Sequence, residues 1–225
     1  MAPPPFPNLK PKSNLTLNAI LPSQIYTVDD FLSATEIKAI RTWIEGVVME
    51  EPKPPGKGEA ERTARRGSIN SPDIASIVLR MLLPYIPLLS PLYKSSSPAL
   101  SPNIRIYHYP RQTYFRCHYD SPTLDPTSKR LSCWTILIYL SDCTGGGTTF
   151  HLSTHDTGSA NKKKNKPNAI TKKADNAEGE KVTVEPKAGR LLLHWHGMSG
   201  GGCLKHEGKE VEQGDKWVFR TDILA

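Results

Sequence analysis

From Asn103 to the C-terminus the chain is a succession of short β-compatible segments separated by turn residues, a pattern that leaves few folds open to it. NIRIYHY, LSCWTILIYLS, RLLLHWH and KWVFRTDIL are rich in the branched and aromatic residues that fit a pleated, half-buried surface. Gly145, Gly146 and Gly147 supply a turn after the second of them. Two amphipathic helices come first. The stretch from Ser33 to Val48 offers Ser33 or Thr35 as caps, Glu36 in the first turn, and Ile37, Ile40, Ile44 and Val47 at helical spacing. Ser71 with Pro72 opens a second helix running to Leu83, with Ile74, Ile77, Val78, Met81 and Leu82 on one face. Such an order suits a mainly β fold with supporting helices, a double-stranded β-helix (jelly roll) whose helices lie against one of two sheets.

Three segments fall outside this pattern. MAPPPFPNLKPKSN, residues 1–14, is proline-rich and reads as an extended, mobile tail, with structure beginning near Leu15. Residues Glu51 to Arg66 read as a long loop able to reach over an active site, where Arg62, Arg65 and Arg66 could contact an anionic substrate. At about 153–181, Lys162, Lys163, Lys164, Lys166, Lys172 and Lys173 form a basic run without apolar periodicity, expected as a solvated loop. With 225 residues and 37% hydrophobic content, residues 15–225 read as one domain around one core.

Within the strand-like run TYFRCHYDS, His118 and Asp120 stand at positions i and i+2, which point to the same face of a strand. Histidine and aspartate two apart are common by chance. Their weight comes from His206 near the end of the chain and from Lys216 ten residues after it. Two imidazoles and one carboxylate on one side of an iron ion leave about three coordination positions open. A cation held nearby is what a dicarboxylate cosubstrate needs at its far end.

The chain resembles the prolyl 4-hydroxylase-like branch of the iron(II)/2-oxoglutarate-dependent dioxygenases. Five blocks carry the resemblance in order: IYTVDDFLSATEIKAI, RIYHYPRQTYFRCHYD, LSCWTILIYLSDCTGGGTTF, VEPKAGRLLLHW and HEGKEVEQGDKWVFRTDIL. It implies the jelly-roll architecture, with the metal at the open mouth. It implies His118, Asp120 and His206 as iron ligands, and Lys216 as the partner of the distal carboxylate of 2-oxoglutarate. Tyr139 falls where related enzymes place a hydroxyl on that carboxylate, and Tyr109 and Tyr114 lie in the segment that lines the cosubstrate pocket. For these tyrosines ordinary strand packing is the competing role. Arg220 is the second candidate for the carboxylate anchor, because it lies two strand alternations beyond Lys216. Fe(II) and 2-oxoglutarate are the implied cofactors, with ascorbate as reductant. The chain departs from the family in carrying glycine in GGGTTF where many relatives have a carboxylate, which implies an altered substrate rim.

The implied activity is hydroxylation of a carbon on a peptidyl, proline-like substrate or on a small molecule, with release of succinate and carbon dioxide. A jelly-roll binding or sensing module that has lost catalysis is the alternative from another class. All three ligands and Lys216 are present, which argues for activity. A zinc hydrolase on the same ligands would have no use for Lys216. The formal net charge of +7 favours acidic partners, and some oxygenases act on nucleic acid. The lysine run, however, lacks aromatics to stack bases, and no helix-turn-helix or zinc-finger spacing occurs, so nucleic acid is the minority reading.

Cys117, Cys133, Cys143 and Cys203 contain no C-x-x-C pair. With neither a signal peptide nor a membrane-spanning apolar run in the sequence, the expectation is reduced thiols in an intracellular, cytoplasmic or nuclear protein. Cys117 is expected to point away from His118 and fill core. His194 reads as a hydrogen-bonded core or pocket-wall residue, and His151 as facing the substrate.

Overall fold

The computed structural model describes residues 5–89, 97–152, 180–197 and 202–225. In chain order these form β1 (Asn18–Leu21), β2 (Ile25–Val28), α1 (Ala34–Ile44), β3 (Arg65–Asn70), α2 (Pro72–Leu82), β4 (Ala99–Leu100), β5 (Asn103–Tyr109), β6 (Phe115–His118) and β7 (Ser132–Tyr139). There follow β8 (Cys143–Gly145), β9 (Thr148–His151), β10 (Lys181–Val184), β11 (Leu191–Trp195), β12 (Lys205–Gly208), β13 (Val211–Gly214) and β14 (Lys216–Leu224). The lysine-rich segment lies almost wholly outside the described residues. No helix among the described residues is long and apolar enough to cross a membrane.

Both helices form for local reasons. Ser33 accepts a hydrogen bond from the Glu36 N–H, and the Glu36 carboxylate accepts one from the Ser33 N–H at 2.7 Å, a complete capping box. At α2 the Ser71 hydroxyl accepts from the Ile74 N–H, with Pro72 in the first turn where no donor is missed. Ile40, Trp43 and Ile44 of α1 and Ile74, Val78, Met81 and Leu82 of α2 are buried in one apolar cluster with the larger sheet.

That sheet runs β1-β2-β11-β7-β14-β5-β3, with β4 paired to β14, and its neighbouring strands are antiparallel. Period-two alternation gives it two unlike faces. Ile104, Ile106, Ile136, Ile138, Leu191, Leu193, Phe219 and Ile223 face the helices. Tyr107, Tyr109, Tyr139, Leu192 and Val218 lie on the other side, in a second cluster with Phe150 of the smaller sheet. The smaller sheet has the order β10-β9-β12-β6. Two facing antiparallel sheets with helices against one of them are the expected jelly roll.

Several elements depart from the sequence reading. The proline-rich tail docks: Phe6 meets Trp43 edge-on at 4.9 Å, Leu9 is buried, and Lys12 reaches the Glu36 carboxylate at 2.6 Å. Burial of Leu9 and packing of the partly buried Phe6 offset the entropy that a proline-rich segment otherwise keeps. β1 and β2 precede the expected strands and form an edge of the larger sheet. The end of the 51–66 loop becomes β3 on the opposite edge, paired with β5 from Arg65↔His108 to Asn70↔Asn103. Upstream of β3 the loop is tied to β6, because the Thr63 N–H donates to the Tyr114 carbonyl at 3.0 Å and the Arg116 N–H to the Glu61 carbonyl at 2.8 Å. It therefore forms a wall between the two sheets.

Candidate active site

The interior face of the larger sheet supplies one half of the site and the end of the smaller sheet the other. His118 closes β6 and stands directly across from His206 of β12. Asp120 follows two residues later, past the end of the strand. One donor atom from each of the three lies within 4.8 Å of the others.

Each donor is oriented by a neighbour. His118 Nδ1 lies 2.8 Å from the Arg116 carbonyl and His206 Nδ1 lies 2.9 Å from the Leu204 carbonyl. A carbonyl only accepts, so both Nδ1 atoms carry the proton and both Nε2 lone pairs are free. Phe115 stacks on His118 with centroids 3.7 Å apart. On Asp120, Oδ2 accepts from the Thr135 hydroxyl at 2.7 Å and from Arg220 at 2.8 Å, and His194 Nε2 is 3.4 Å away. With Oδ2 occupied, Oδ1 is the oxygen left for a ligand, and it lies 3.9 Å from His118 Nε2. Such a separation accommodates an ion about 2 Å from each donor.

Charge states agree with the geometry. Burial pushes the pKa of His118 and of His206 down to about 4, each helped by the neighbouring imidazole, so both are neutral at pH 7. Burial alone would raise the Asp120 carboxyl, but the Arg220 guanidinium and the His194 hydrogen bond hold it well below its ordinary value. Neutral imidazoles and an ionised carboxylate are the states that iron(II) requires.

From this point a narrow pocket runs between the sheets to Lys216, lined by Tyr109, Phe115, Leu137, Thr148 and Val218. Lys216 is buried, and its Nζ donates to the Gly146 carbonyl at 2.5 Å. It has no carboxylate partner among the described residues. Burial lowers its pKa to about 8. An ammonium placed at the end of a pocket without a counter-charge is a receptor for a carboxylate. Gly145 and Gly146 adopt positive φ (+71° and +68°), which brings the Gly146 carbonyl onto that ammonium. The glycine turn thus serves the Lys216 end of the pocket, whereas the sequence reading put it at the substrate rim.

The tyrosines sort differently from expectation. Tyr109 lies across from Lys216 and its ring is 5.0 Å from the ammonium. Tyr139 sits behind the wall: its hydroxyl bonds Thr148 at 2.8 Å, and its ring is 5.6 Å from Lys216. Tyr114 is not in the pocket. Its hydroxyl bonds Glu61 outside, and Phe115 takes the inward place. The cause is a bulge, for β12 pairs His206 with His118 but Gly208 with Phe115, so one extra residue on β6 shifts the alternation. Arg220 is not at the carboxylate end. It lies at the metal end between Asp120 and Asp222, the latter 3.6 Å away.

Cys117 points away from His118 as expected, but it is half-buried and does not fill core. Its Sγ lies 3.4 Å from His151 Nε2, which in turn is 3.2 Å from Glu207, itself paired with Lys209. His151 therefore faces away from the site. Both helices pack on the larger sheet, which leaves this outer face of the smaller one partly open. The sequence reading did not single out Thr135, Asp222 or Arg105. Asp222 lies on the face of Lys216, Val218 and Arg220, and Thr135 and Arg105 are its cross-strand neighbour and ion-pair partner. Period-two counting from Lys216 would have found Asp222.

Beside His118 and Asp120 opens a cleft of about 1030 Å³, bounded by the 51–64 wall, Tyr107, Phe115 and Arg220. The pocket reaches the donors from one side and the cleft from another, so a cosubstrate and a substrate can approach together.

Residues 104–221 match the family model of the 2OG-Fe(II) oxygenase superfamily. No curated protein sequence matches the chain. Among solved structures it is similar to the viral collagen prolyl hydroxylase of Paramecium Bursaria Chlorella virus-1 in its 2OG complex (TM-score 0.57, 16% identity, covering 90% of this chain and 96% of that one). It is also similar to a prolyl hydroxylase from Trichoplax adhaerens in complex with a hypoxia inducible factor peptide fragment (TM-score 0.55, 16% identity, 90% and 84% covered). A third similar structure is HygX from Streptomyces hygroscopicus with nickel, 2-oxoglutarate and hygromycin B bound (TM-score 0.54, 15% identity, 89% and 82% covered). At these identities the structural likeness establishes the shared fold.

Proposed function

The chain belongs to the 2OG-Fe(II) oxygenase superfamily and is an iron(II)- and 2-oxoglutarate-dependent dioxygenase; on that premise we propose that it hydroxylates a carbon of a peptidyl or small-molecule substrate, with His118, Asp120 and His206 holding the iron. The observation that carries this assignment is the convergence of three correctly charged donors at one end of a pocket whose other end is an uncompensated lysine.

When bound, iron(II) and 2-oxoglutarate supply the oxidising chemistry, releasing succinate and carbon dioxide. The chain's own residues orient and shield. Thr135, Arg220 and His194 keep Oδ2 of Asp120 occupied, so that Oδ1 would be the oxygen free to hold the ion. Lys216 neutralises the distal carboxylate of the cosubstrate, and Tyr109, Phe115 and Leu137 keep water from the pocket wall. The substrate enters by the cleft. A peptide fragment and hygromycin B are the ligands bound in two of the similar structures, and the cleft of about 1030 Å³ is the space open to a substrate here.

Adding iron(II) and then 2-oxoglutarate to metal-free protein without oxygen should produce a visible metal-to-ligand charge-transfer band that needs both additions. A folded protein that gives no band would remove the catalytic assignment and favour a binding module.

The same lysine predicts a pH dependence. Its folded-state pKa of about 8 lies below the ordinary 10.5, so between these values the folded, empty protein binds fewer protons than the unfolded chain. The contribution of this group to stability therefore rises with pH through that window. Cosubstrate binding needs the ammonium, so above pH 8 it must take up a proton. The affinity for 2-oxoglutarate, measured by the band, should be flat with respect to Lys216 below pH 8 and fall by up to ~tenfold per pH unit above it.

A further inference from the structure

We propose that Arg62 and Arg66 form an oxyanion subsite in the cleft, and that the substrate of this enzyme is an organic acid held there by a single carboxylate. The inference rests on the reading above, in which the cleft leads to an iron site.

Most charges along the cleft are already matched. Arg220 is 2.8 Å from Asp120, Arg105 pairs with Asp222, and Lys53 lies 3.4 Å from Glu50. Glu51 is taken by Arg65, 2.9 Å away. Arg62 and Arg66 differ from these: both line the cleft, and neither has an ion-pair partner among the described residues. Arg62 Nε is buried without a hydrogen-bond partner, although the guanidinium stands 5.6 Å from the centroids of both Tyr107 and Phe115. A buried donor left unmatched in a site of this size is costly unless a ligand takes it.

Position makes the pair useful. Arg66 lies across from Tyr107 in the β3–β5 ladder, which puts it on the interior face, whereas Arg65, across from His108, faces the other side. Arg62 sits over Phe115, and Phe115 is stacked on His118, so the cation is one aromatic ring away from a proposed iron ligand. A carboxylate gripped by Arg62 would be held in the same cleft that His118 and Asp120 line. Planar guanidinium forks match carboxylate geometry. Two guanidiniums and one carboxylate, Glu59, line the cleft without an ion-pair partner among the described residues, which leaves a single positive charge for the substrate to balance.

The test uses the iron(II)- and 2-oxoglutarate-loaded protein without oxygen and a panel of N-acetyl amino acids, each as the free acid and as the primary amide. A ligand seated beside the iron perturbs the charge-transfer band, and its concentration dependence gives an affinity. At least one acid should act about 10- to 100-fold more strongly than its amide, the range of a hydrogen bond to a charged group. In Arg62→Gln that acid should fall to the level of the amide while the band itself still forms, and Arg66→Gln should show a smaller loss. Amides equal to acids, a panel in which no acid acts, or an Arg62→Gln protein that binds the acid undiminished would each overturn the proposal. Absence of the band in the parent protein would instead count against the iron site.

Discussion

His118→Ala is expected to abolish iron-dependent turnover while the protein stays folded. The substitution leaves Asp120 and His206 as the only donors, and loss of even an outer partner of a metal ligand commonly costs 10- to 100-fold, so removing a ligand should exceed about 100-fold in iron affinity. What the fold loses is small by comparison: one contact with the Arg116 carbonyl and one stacked ring, at the end of a strand. A loss of roughly 1–2 kcal/mol is within what a domain of this size tolerates. His118 is a cleaner target than Asp120, whose removal would leave the buried Arg220 guanidinium with Asp222 alone and confuse a lost ligand with a damaged core. Succinate release and the anaerobic band, read alongside thermal unfolding, separate the two effects. Undiminished turnover in a folded His118→Ala protein would remove this residue from the iron site.

Lys216→Met should give an opposed pair of effects. In the metal-free protein the ammonium is buried against one carbonyl without an anionic partner, and lowering its pKa from 10.5 to about 8 reflects a cost on the order of 3 kcal/mol at neutral pH. An apolar side chain of similar length removes that cost, so the metal-free variant should be at least as stable as the parent. Binding of 2-oxoglutarate should weaken by about two orders of magnitude, because its distal carboxylate would enter the pocket without a counter-charge. A variant that is clearly destabilised would show the lysine to be a structural strut. A variant with parental 2-oxoglutarate affinity would move the anchoring role elsewhere. The geometry already places Arg220 away from that end, on Asp120.

The residues legible without a structure were those whose spacing is itself chemical information. His118 and Asp120 stood out as candidates from their spacing, although Asp120 lies past the end of β6 and not on the strand that the i, i+2 argument assumed. His206 and Lys216 stood out because a third donor and a cation at that distance fit one cosubstrate. Both helices were legible from their caps, since a Ser-x-x-Glu box or a Ser-Pro start acts within one turn. Tyr114 was expected in the pocket from the resemblance of its segment alone, and a bulge, where one inserted residue on β6 shifts the alternation, gives the inward place to Phe115 instead. The strand at Arg65–Asn70 failed because RRGSIN has no apolar alternation, and it exists only because β5 offers it an edge to pair with.

Local order and the candidate donors were thus legible in the chain itself: propensities, caps and period-two patterns act over a few residues and need no partner. The tertiary structure decided everything that depends on register between distant strands. Only the pairing of β7, β11 and β14 brings Thr135, His194 and Arg220 onto one oxygen of Asp120, and only the crossing of two sheets sets Lys216 at the far end of the same pocket. Register is settled by which buried faces pack together over the whole core, a sum over many contacts that no short window of sequence contains.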